Sequence, residues 1–312
     1  MKSNTLAALA LATLLAGCSW EPGAPPTRAE TDAWNQVDAA SYESEIRDWQ
    51  AGRAAGLRRD TGWLTLTGLF WLDEGENSVG SAAESQVRLP EGKAPERVGT
   101  LVRSGRTVTL TTEPGAMVTV DGNPVGSIAM TPDVSGKPTI AEVGPVQFLV
   151  IERGGRVGVR VRDREHPALI SFGGLEYFPT DPKWRVEARL EKYDPQKQIP
   201  IQNIVGIVEA QLSPGALVFE IDGKEHRLDP ILEEGTDELF VIFADETSGG
   251  ETYGAGRYLY AQAPGPDGTT ILDFNKAYNP PCAFTDFATC PLPPRQNRLA
   301  IRVEAGEKAY HQ

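Results

Sequence analysis

Short segments in which apolar and polar residues alternate run through the chain from residue 63 onward. Examples are Arg106–Thr112 and Arg156–Arg162, and the last such segment is Leu299–Val303. A side-chain period of two is that of a β-strand with one buried face. The 312 residues include 32 Gly and 24 Pro, which interrupt these segments and favour turns. The sequence therefore predicts a mainly β protein built of short antiparallel strands.

One helix and two β subdomains are expected within this pattern. Ser41 is suited to cap the helix, because acidic residues follow it in the first turn. The segment Tyr193–Pro195 interrupts a long alternating stretch, and all six Trp residues lie at or before position 184. We predict that residues 41–194 form the helix and a sandwich-like antiparallel subdomain. Residues 195–312 would form a second antiparallel β subdomain.

The amino terminus has the features of an export signal. The apolar run Leu6–Leu15 has the length of a secretory signal and is too short to span a bilayer. It leads into Leu15–Cys18, which resembles a bacterial lipobox, where the Cys thiol receives diacylglycerol before cleavage. The resemblance implies that residues 1–17 are removed and that lipid on Cys18 anchors the protein. The alternative is an ordinary signal with an unmodified cysteine.

The lipobox resemblance also implies a location. Residues 18–40 contain several prolines and are expected to form a flexible tether. Ser19 rather than Asp follows the cysteine, which in bacterial lipoproteins implies delivery to the outer membrane. The predicted place of the protein is thus the bacterial cell envelope, with its folded part facing the periplasm and the membrane as a partner through the lipid.

The net charge and the motif content limit the partners, metals and cofactors that the sequence predicts. The net charge of −13 disfavours binding to phosphate backbones, so we expect no nucleic-acid partner. With three His and three Cys in the whole chain, no metal site is predicted. The sequence has no nucleophile elbow, phosphate-binding loop, dinucleotide fingerprint or H-E-x-x-H motif, so no cofactor is implied.

Apart from Cys18, the chain has two cysteines, Cys282 and Cys290. An even pair in an exported protein, separated by seven residues, favours a disulfide. A redox-active or nucleophilic thiol is the alternative, although the spacing is not that of a thioredoxin-type pair.

Polar loops of the second β subdomain are the expected place for a site. Arg257 could hold a carboxylate through two hydrogen bonds, and aromatic side chains could stack on a sugar or a peptide. The predicted ligand-binding residues are Tyr253, Arg257, Asp273, Asn275, Lys276, Tyr278 and Asn279. An alternative is that Arg257 and Asp273 are a structural pair between neighbouring strands.

Three hypotheses for the function follow. The preferred one is a non-catalytic module that binds an envelope small molecule, glycan or protein on these loops. The second is an envelope hydrolase, in which Glu251 or Asp273 acts as general acid or base and Arg257 stabilises negative charge. The third is a purely structural scaffold.

Part of the strand pattern resembles the forkhead-associated (FHA) β-sandwich over residues 63–152. The resemblance rests on Gly75–Gly80 and on the strands that follow it. It implies a sandwich fold and, in that family, recognition of phosphothreonine. This sequence has Ser81 where the family has an Arg, and Pro95–Gly99 lacks the family's Ser and His, so phosphopeptide binding is not expected.

A second resemblance covers most of the chain after the tether. The segments Trp63–Leu72, Phe172–Trp184 and Asp273–Cys282 are similar to those of the bacterial family called domain of unknown function 1684. Cys290–Asn297 and Ala305–Lys308 fit the same family pattern. The resemblance implies kinship but no particular activity.

Overall fold

A computed structural model describes residues 38–310 of the chain. The predicted signal, the lipobox with Cys18 and the first part of the predicted tether lie outside these residues. The described part is mainly β and antiparallel with one long N-terminal helix, which confirms the predicted fold class. None of its helices is both long enough and apolar enough to cross a membrane.

The helices are α1 (Ala39–Leu57) and α2 (Pro167–Ser171). The strands are β1 (Leu66–Trp71), β2 (Gly75–Gly80), β3 (Val87–Arg88), β4 (Gly99–Ser104), β5 (Thr107–Thr112), β6 (Thr119–Val120), β7 (Asn123–Pro124), β8 (Ser127–Ala129), β9 (Ile140–Val143), β10 (Val146–Arg153), β11 (Arg156–Asp163), β12 (Arg185–Gln202), β13 (Val208–Ile221), β14 (Lys224–Leu228), β15 (Ile231–Leu232), β16 (Leu239–Phe243), β17 (Arg257–Ala261) and β18 (Thr269–Asp273).

The N-terminal strands form a sandwich of two sheets. One sheet has the order β1-β11-β10-β9-β6-β7 and the other β3-β2-β4-β5-β8. Their apolar faces pack together, with Leu101 and Leu110 from one sheet and Phe148 and Val159 from the other in a single core. Because alternate residues of a strand face opposite sides, the buried valines of β11 leave Arg160 on the face away from this core.

The C-terminal strands form two further sheets, β14-β13-β12-β18 and β15-β16-β17. Leu217, Val241 and Phe274 belong to the core that these sheets share. The long strand β12 continues past residue 195, although its register against β13 shifts between Lys192 and Lys197. The subdomain boundary at 194–195 therefore stays a prediction.

Helix α1 begins earlier than the sequence predicted. Asp38 caps it, because its Oδ2 accepts a hydrogen bond from the Ser41 amide at 2.9 Å. A carboxylate is as good an N-cap as the predicted serine. The helix buries Tyr42 and Ile46, and this face packs on the short 3₁₀ turn that follows β18.

The segment Leu299–Val303 is not the strand that its alternation predicted. Its Leu299 amide bonds the Ala244 carbonyl at 2.8 Å, but its Val303 amide and carbonyl bond side chains instead of a neighbouring strand. Backbone bonds to residues 244–246 extend as far as Ile301, whose carbonyl accepts from the Glu246 amide at 2.9 Å, and polar side chains take over only at Val303.

Candidate functional site

Arg257, the central residue of the predicted site, is fully buried and bound to the protein itself. Its Nη2 lies 3.1 Å from Oδ1 of Asp245 and donates to the Val303 carbonyl at 2.9 Å. Its Nη1 donates to the Ala305 carbonyl. Burial lowers the pKa of the guanidinium, against the opposing effect of Asp245. Arg257 is therefore half of a structural ion pair, with Asp245 as the partner instead of the expected Asp273.

Asp273 and Asn275 belong to a buried network that holds α1. The Tyr42 hydroxyl donates to Oδ1 of Asp273 at 2.7 Å, and Nδ2 of Asn275 lies 2.9 Å from the same hydroxyl oxygen. Nδ2 of Asn275 also donates to the Asp181 carbonyl at 2.9 Å. Burial raises the pKa of Asp273 and that of Tyr42. These two predicted ligand-binding residues thus join the helix to the end of β18.

The remaining loop residues also have partners within the protein. Lys276 pairs with Glu45, Glu251 pairs with Arg302, and the Tyr253 hydroxyl donates to the Cys282 carbonyl at 2.8 Å. Asn279 is fully buried, with its amide 2.8 Å from Oε2 of Glu307 and its side chain on the Lys308 carbonyl. Among the predicted ligand-binding residues, Tyr278 is the one that lines the pocket described next.

A pocket of about 750 Å³ lies between α1, the N-terminal sandwich and the C-terminal sheets. We call it the aromatic pocket, because its wall contains six aromatic side chains: Trp49, Trp63, Phe240, Tyr258, Tyr260 and Tyr278. The alternation of β17 places Tyr258 and Tyr260 on the pocket side, while Leu259 packs in the C-terminal core. The strand pattern thus accounts for these two tyrosines of the wall.

The rings of this wall are fixed by contacts with one another. Phe240 and Tyr260 stack with centroids 4.8 Å apart, and Tyr260 and Tyr278 are nearly parallel at 6.4 Å. Reciprocal backbone bonds of 2.9 Å join Tyr258 to Tyr278. Burial raises the pKa of the Tyr258, Tyr260 and Tyr278 hydroxyls, so all three are neutral at pH 7. The tyrosine part of the wall is therefore uncharged, and its rings hold one another in place.

Arg160 is the buried cation of the aromatic pocket. Its side chain is 5% exposed, and its guanidinium lies over the Trp63 ring at 5.3 Å. Within residues 38–310 its Nε has no hydrogen-bond partner and no carboxylate forms an ion pair with it; a long bond of 3.5 Å joins Nη2 to Thr289. Burial, with a smaller effect of Arg153, lowers its pKa to about 10, so it stays charged at pH 7.

The other two arginines of the pocket are neutralised by carboxylates. Arg153 lies 2.7 Å from Asp133. Arg53 lies 3.0 Å from the buried Glu307 and is positioned over the Tyr278 ring at 4.8 Å. The sequence hypotheses included neither of them nor Arg160. The sequence did contain one indication of Arg160, because it stands at the centre of an alternating strand between valines that are buried.

Cys282 and Cys290 lie side by side at the pocket. Both are free thiols in the structure, so the predicted disulfide is not formed there. The Cys282 amide donates to Sγ of Cys290 at 3.0 Å, and Cys290 lines the pocket. The contact with Cys282, together with burial, raises the pKa of Cys290 and keeps it protonated. The disulfide stays a prediction for the exported protein.

No group of three or more His, Cys, Asp or Glu side chains in the described part of the chain is arranged to hold a metal ion.

Comparison with known families decides the kinship of the C-terminal half. Residues 170–308 match the family described as Protein of unknown function (DUF1684). This part of the chain belongs to that family. The resemblance predicted from the sequence is thereby confirmed over these residues. None of the curated proteins matches the chain.

Solved structures give further similarities. The solution NMR structure of an uncharacterized protein from Haloarcula marismortui is 34% identical, with a TM-score of 0.39 over 46% of this chain and 80% of that chain. An FHA domain studied for its phosphothreonine-dependent interactions is 19% identical, with a TM-score of 0.22 over 30% of this chain and 92% of its own. The FHA domain of FhaA is also 19% identical, with a TM-score of 0.23 over 31% of this chain and 96% of its own.

Proposed function

We propose that the protein is a non-catalytic binding module that holds a small molecule in the aromatic pocket. The observation that carries this proposal is the ring-lined cavity itself. Its volume of about 750 Å³ falls within the range of small-molecule sites, which are concave, mostly apolar and placed where structural units meet. The ordered rings would bind with little loss of side-chain freedom, which favours affinity.

The contacts of the candidate catalytic residues support binding over hydrolysis. Oδ1 of Asp273 accepts bonds from Tyr42 and Asn275, and its Oδ2 is buried away from any surface. Arg257 is bound by Asp245 and two carbonyls. Glu251 pairs with Arg302 at the surface. A general acid or base has to reach a substrate proton within hydrogen-bond distance. No observation favours the hydrolase as a second candidate.

The proposed site of action is the bacterial envelope. Lipid on Cys18 would hold the module at the outer membrane, with the aromatic pocket in the periplasm. In a diderm host, Cys18→Ala is expected to move the protein from the membrane fraction to the soluble periplasmic fraction, measured by fractionation and immunoblotting. Ser19→Asp is the sorting control and should keep the protein membrane-bound but at the inner membrane. Membrane retention of a Cys18→Ala protein whose signal has been removed, as verified by its mass, would contradict lipid anchoring.

Gly52 offers a way to close the aromatic pocket without disturbing the fold. It lines the pocket from helix α1, and a Cβ at this position would meet no atom within 4 Å. Gly52→Trp is therefore expected to fill the cavity. For the soluble form, residues 19–312, we expect saturable binding of the neutral fluorescent ring compound N-phenyl-1-naphthylamine. Gly52→Trp should weaken this binding at least tenfold in a fluorescence titration.

Gly56 supplies the matched control. It lies one turn further along α1, its Cβ would also meet no atom within 4 Å, and it is not among the residues lining the pocket. Gly56→Trp should bind the probe as the wild type does. Equal loss in both variants would indicate a general effect on the helix. Absence of saturable binding to the wild type would argue against a small-molecule site in this pocket.

A further inference from the structure

The buried guanidinium of Arg160 defines which ligands the aromatic pocket should prefer. We infer that the pocket selects an organic acid with a planar ring, whose acid group pairs with Arg160 while its ring lies against the tyrosine and tryptophan wall. This inference rests on the proposed function and adds the charge and shape of the ligand to it.

Charge is the first property of the pocket that favours an acid. Of the three arginines in the pocket, Arg53 and Arg153 each have a carboxylate partner. Arg160 has none among the described residues and is still charged at pH 7. A buried, unpaired cation is unfavourable, and proteins normally place a counter-charge beside it. An acid group of a ligand would supply that counter-charge.

The hydrogen-bond donors of Arg160 also favour an acid group. A guanidinium presents its donors in a planar fork that matches the two oxygens of a carboxylate or sulfonate. Nε of Arg160 is unused within the described residues, and the bond from Nη2 to Thr289 is long at 3.5 Å. Arg160 is only 5% exposed, so folding has already met most of the cost of desolvating its guanidinium, and less of that cost is left for the binding of an acid.

The aromatic wall indicates what the rest of the ligand should be. Trp63 lies under the Arg160 guanidinium, and Phe240, Tyr260 and Tyr278 form a stack of ring faces elsewhere on the wall. Aromatic faces prefer to pack on other planar rings. The single carboxylate among the described lining residues, Glu233, is exposed and accepts a bond from the Tyr260 hydroxyl at 2.6 Å. The ligand that matches both the apolar ring surface and the local positive charge is an organic acid with a planar ring.

The net charge of the protein is negative, so a preference for an acid cannot come from the protein as a whole. A chain with a charge of −13 repels anions at long range. Tighter binding of an anion than of its neutral counterpart must then arise from contacts inside the pocket. This makes a comparison of two matched ligands informative.

The test compares two probes that share one ring skeleton. N-phenyl-1-naphthylamine is neutral, and 8-anilinonaphthalene-1-sulfonate is the same skeleton with one sulfonate. We expect the soluble form, residues 19–312, to bind the sulfonate at least tenfold more tightly, with one site per chain. In Arg160→Met the two dissociation constants should come within about threefold of each other, mainly because the sulfonate binds more weakly.

Arg162→Met is the matched control. Arg162 lies two residues along the same strand, on the same face, and burial lowers its pKa too, but it is not among the residues lining the pocket. This variant should keep the preference for the sulfonate. If Arg160→Met does not fold, as judged by circular dichroism, Arg160→Gln and the wild-type ratio of the two probes still test the inference.

The outcomes separate the inference from the proposed function. Binding of the neutral probe that Gly52→Trp abolishes, without preference for the sulfonate, would overturn the inference and leave the proposed function standing. An unchanged preference in Arg160→Met would also overturn the inference. If neither probe bound at one site per chain, the proposed function would fail and the inference with it.

Discussion

Arg257→Met is expected to lower the free energy of unfolding by about 3–5 kcal/mol, because it breaks a fully buried ion pair from one side. Asp245 would be left in the protein interior without the guanidinium that now lies 3.1 Å away. The Val303 and Ala305 carbonyls would lose their donors at the same time. Urea unfolding followed by tryptophan fluorescence measures the change.

A second ion pair in the same region provides the control. Arg302 pairs with Glu251 and Glu304, but all three side chains are exposed. Arg302→Met should therefore change the free energy of unfolding by about 1 kcal/mol or less. A similar loss in both variants would mean that burial of the Arg257 pair is not what makes it important. Folded Arg257→Met should still bind N-phenyl-1-naphthylamine, because Arg257 contributes to the fold and not to the pocket.

Gly306→Ala is expected to destabilise the protein by about 2–4 kcal/mol, since it adds backbone strain to a steric clash. Gly306 has a φ of 75°, and a Cβ there would lie 2.4 Å from the Ala277 carbonyl oxygen and 2.8 Å from that of Phe274. The next residue, Glu307, holds Arg53 at the aromatic pocket. We therefore expect weaker binding of N-phenyl-1-naphthylamine as well as a lower midpoint of urea unfolding.

Gly249→Ala separates the effect of backbone strain from that of the steric clash. Gly249 has a similar φ of 85°, but a Cβ there would meet no atom within 4 Å. Strain alone should cost about 1 kcal/mol, and probe binding should not change. If the two variants were equally destabilised, the close approach of the Ala277 carbonyl would have no energetic consequence.

The strands were predictable because each depends on its own short pattern. Alternation in Arg156–Arg162 predicted both the strand and its buried valines, and β11 has them as expected. The same rule explains Arg257, which shares a strand face with Leu259 and Ala261 and is buried with them. Arg257 was proposed as a ligand-binding residue of the polar loops, and the alternative of a structural pair between strands named Asp273 as its partner, where the structure has Asp245.

The aromatic pocket was not predictable in the same way, because it is made where distant parts of the chain meet. Tyr278 was proposed from its loop, but nothing local connects it with Trp49 or Arg160. An arginine on the outer face of an isolated sandwich would point into water. Packing of the C-terminal sheets and α1 against that face buries Arg160, and this is a tertiary effect that no window of sequence contains.

The aromatic pocket lies where two stretches of the chain meet, and each stretch supplies a different property of the pocket. Residues 170–308, which match the family, contribute Phe240 and the three tyrosines, whereas every arginine of the pocket lies before residue 170. A relative equivalent to residues 170–308 alone would keep the flat ring surface and have no positive charge beside it. Changes before residue 170 could thus convert an acid-selective pocket into one for neutral compounds without altering a single tyrosine.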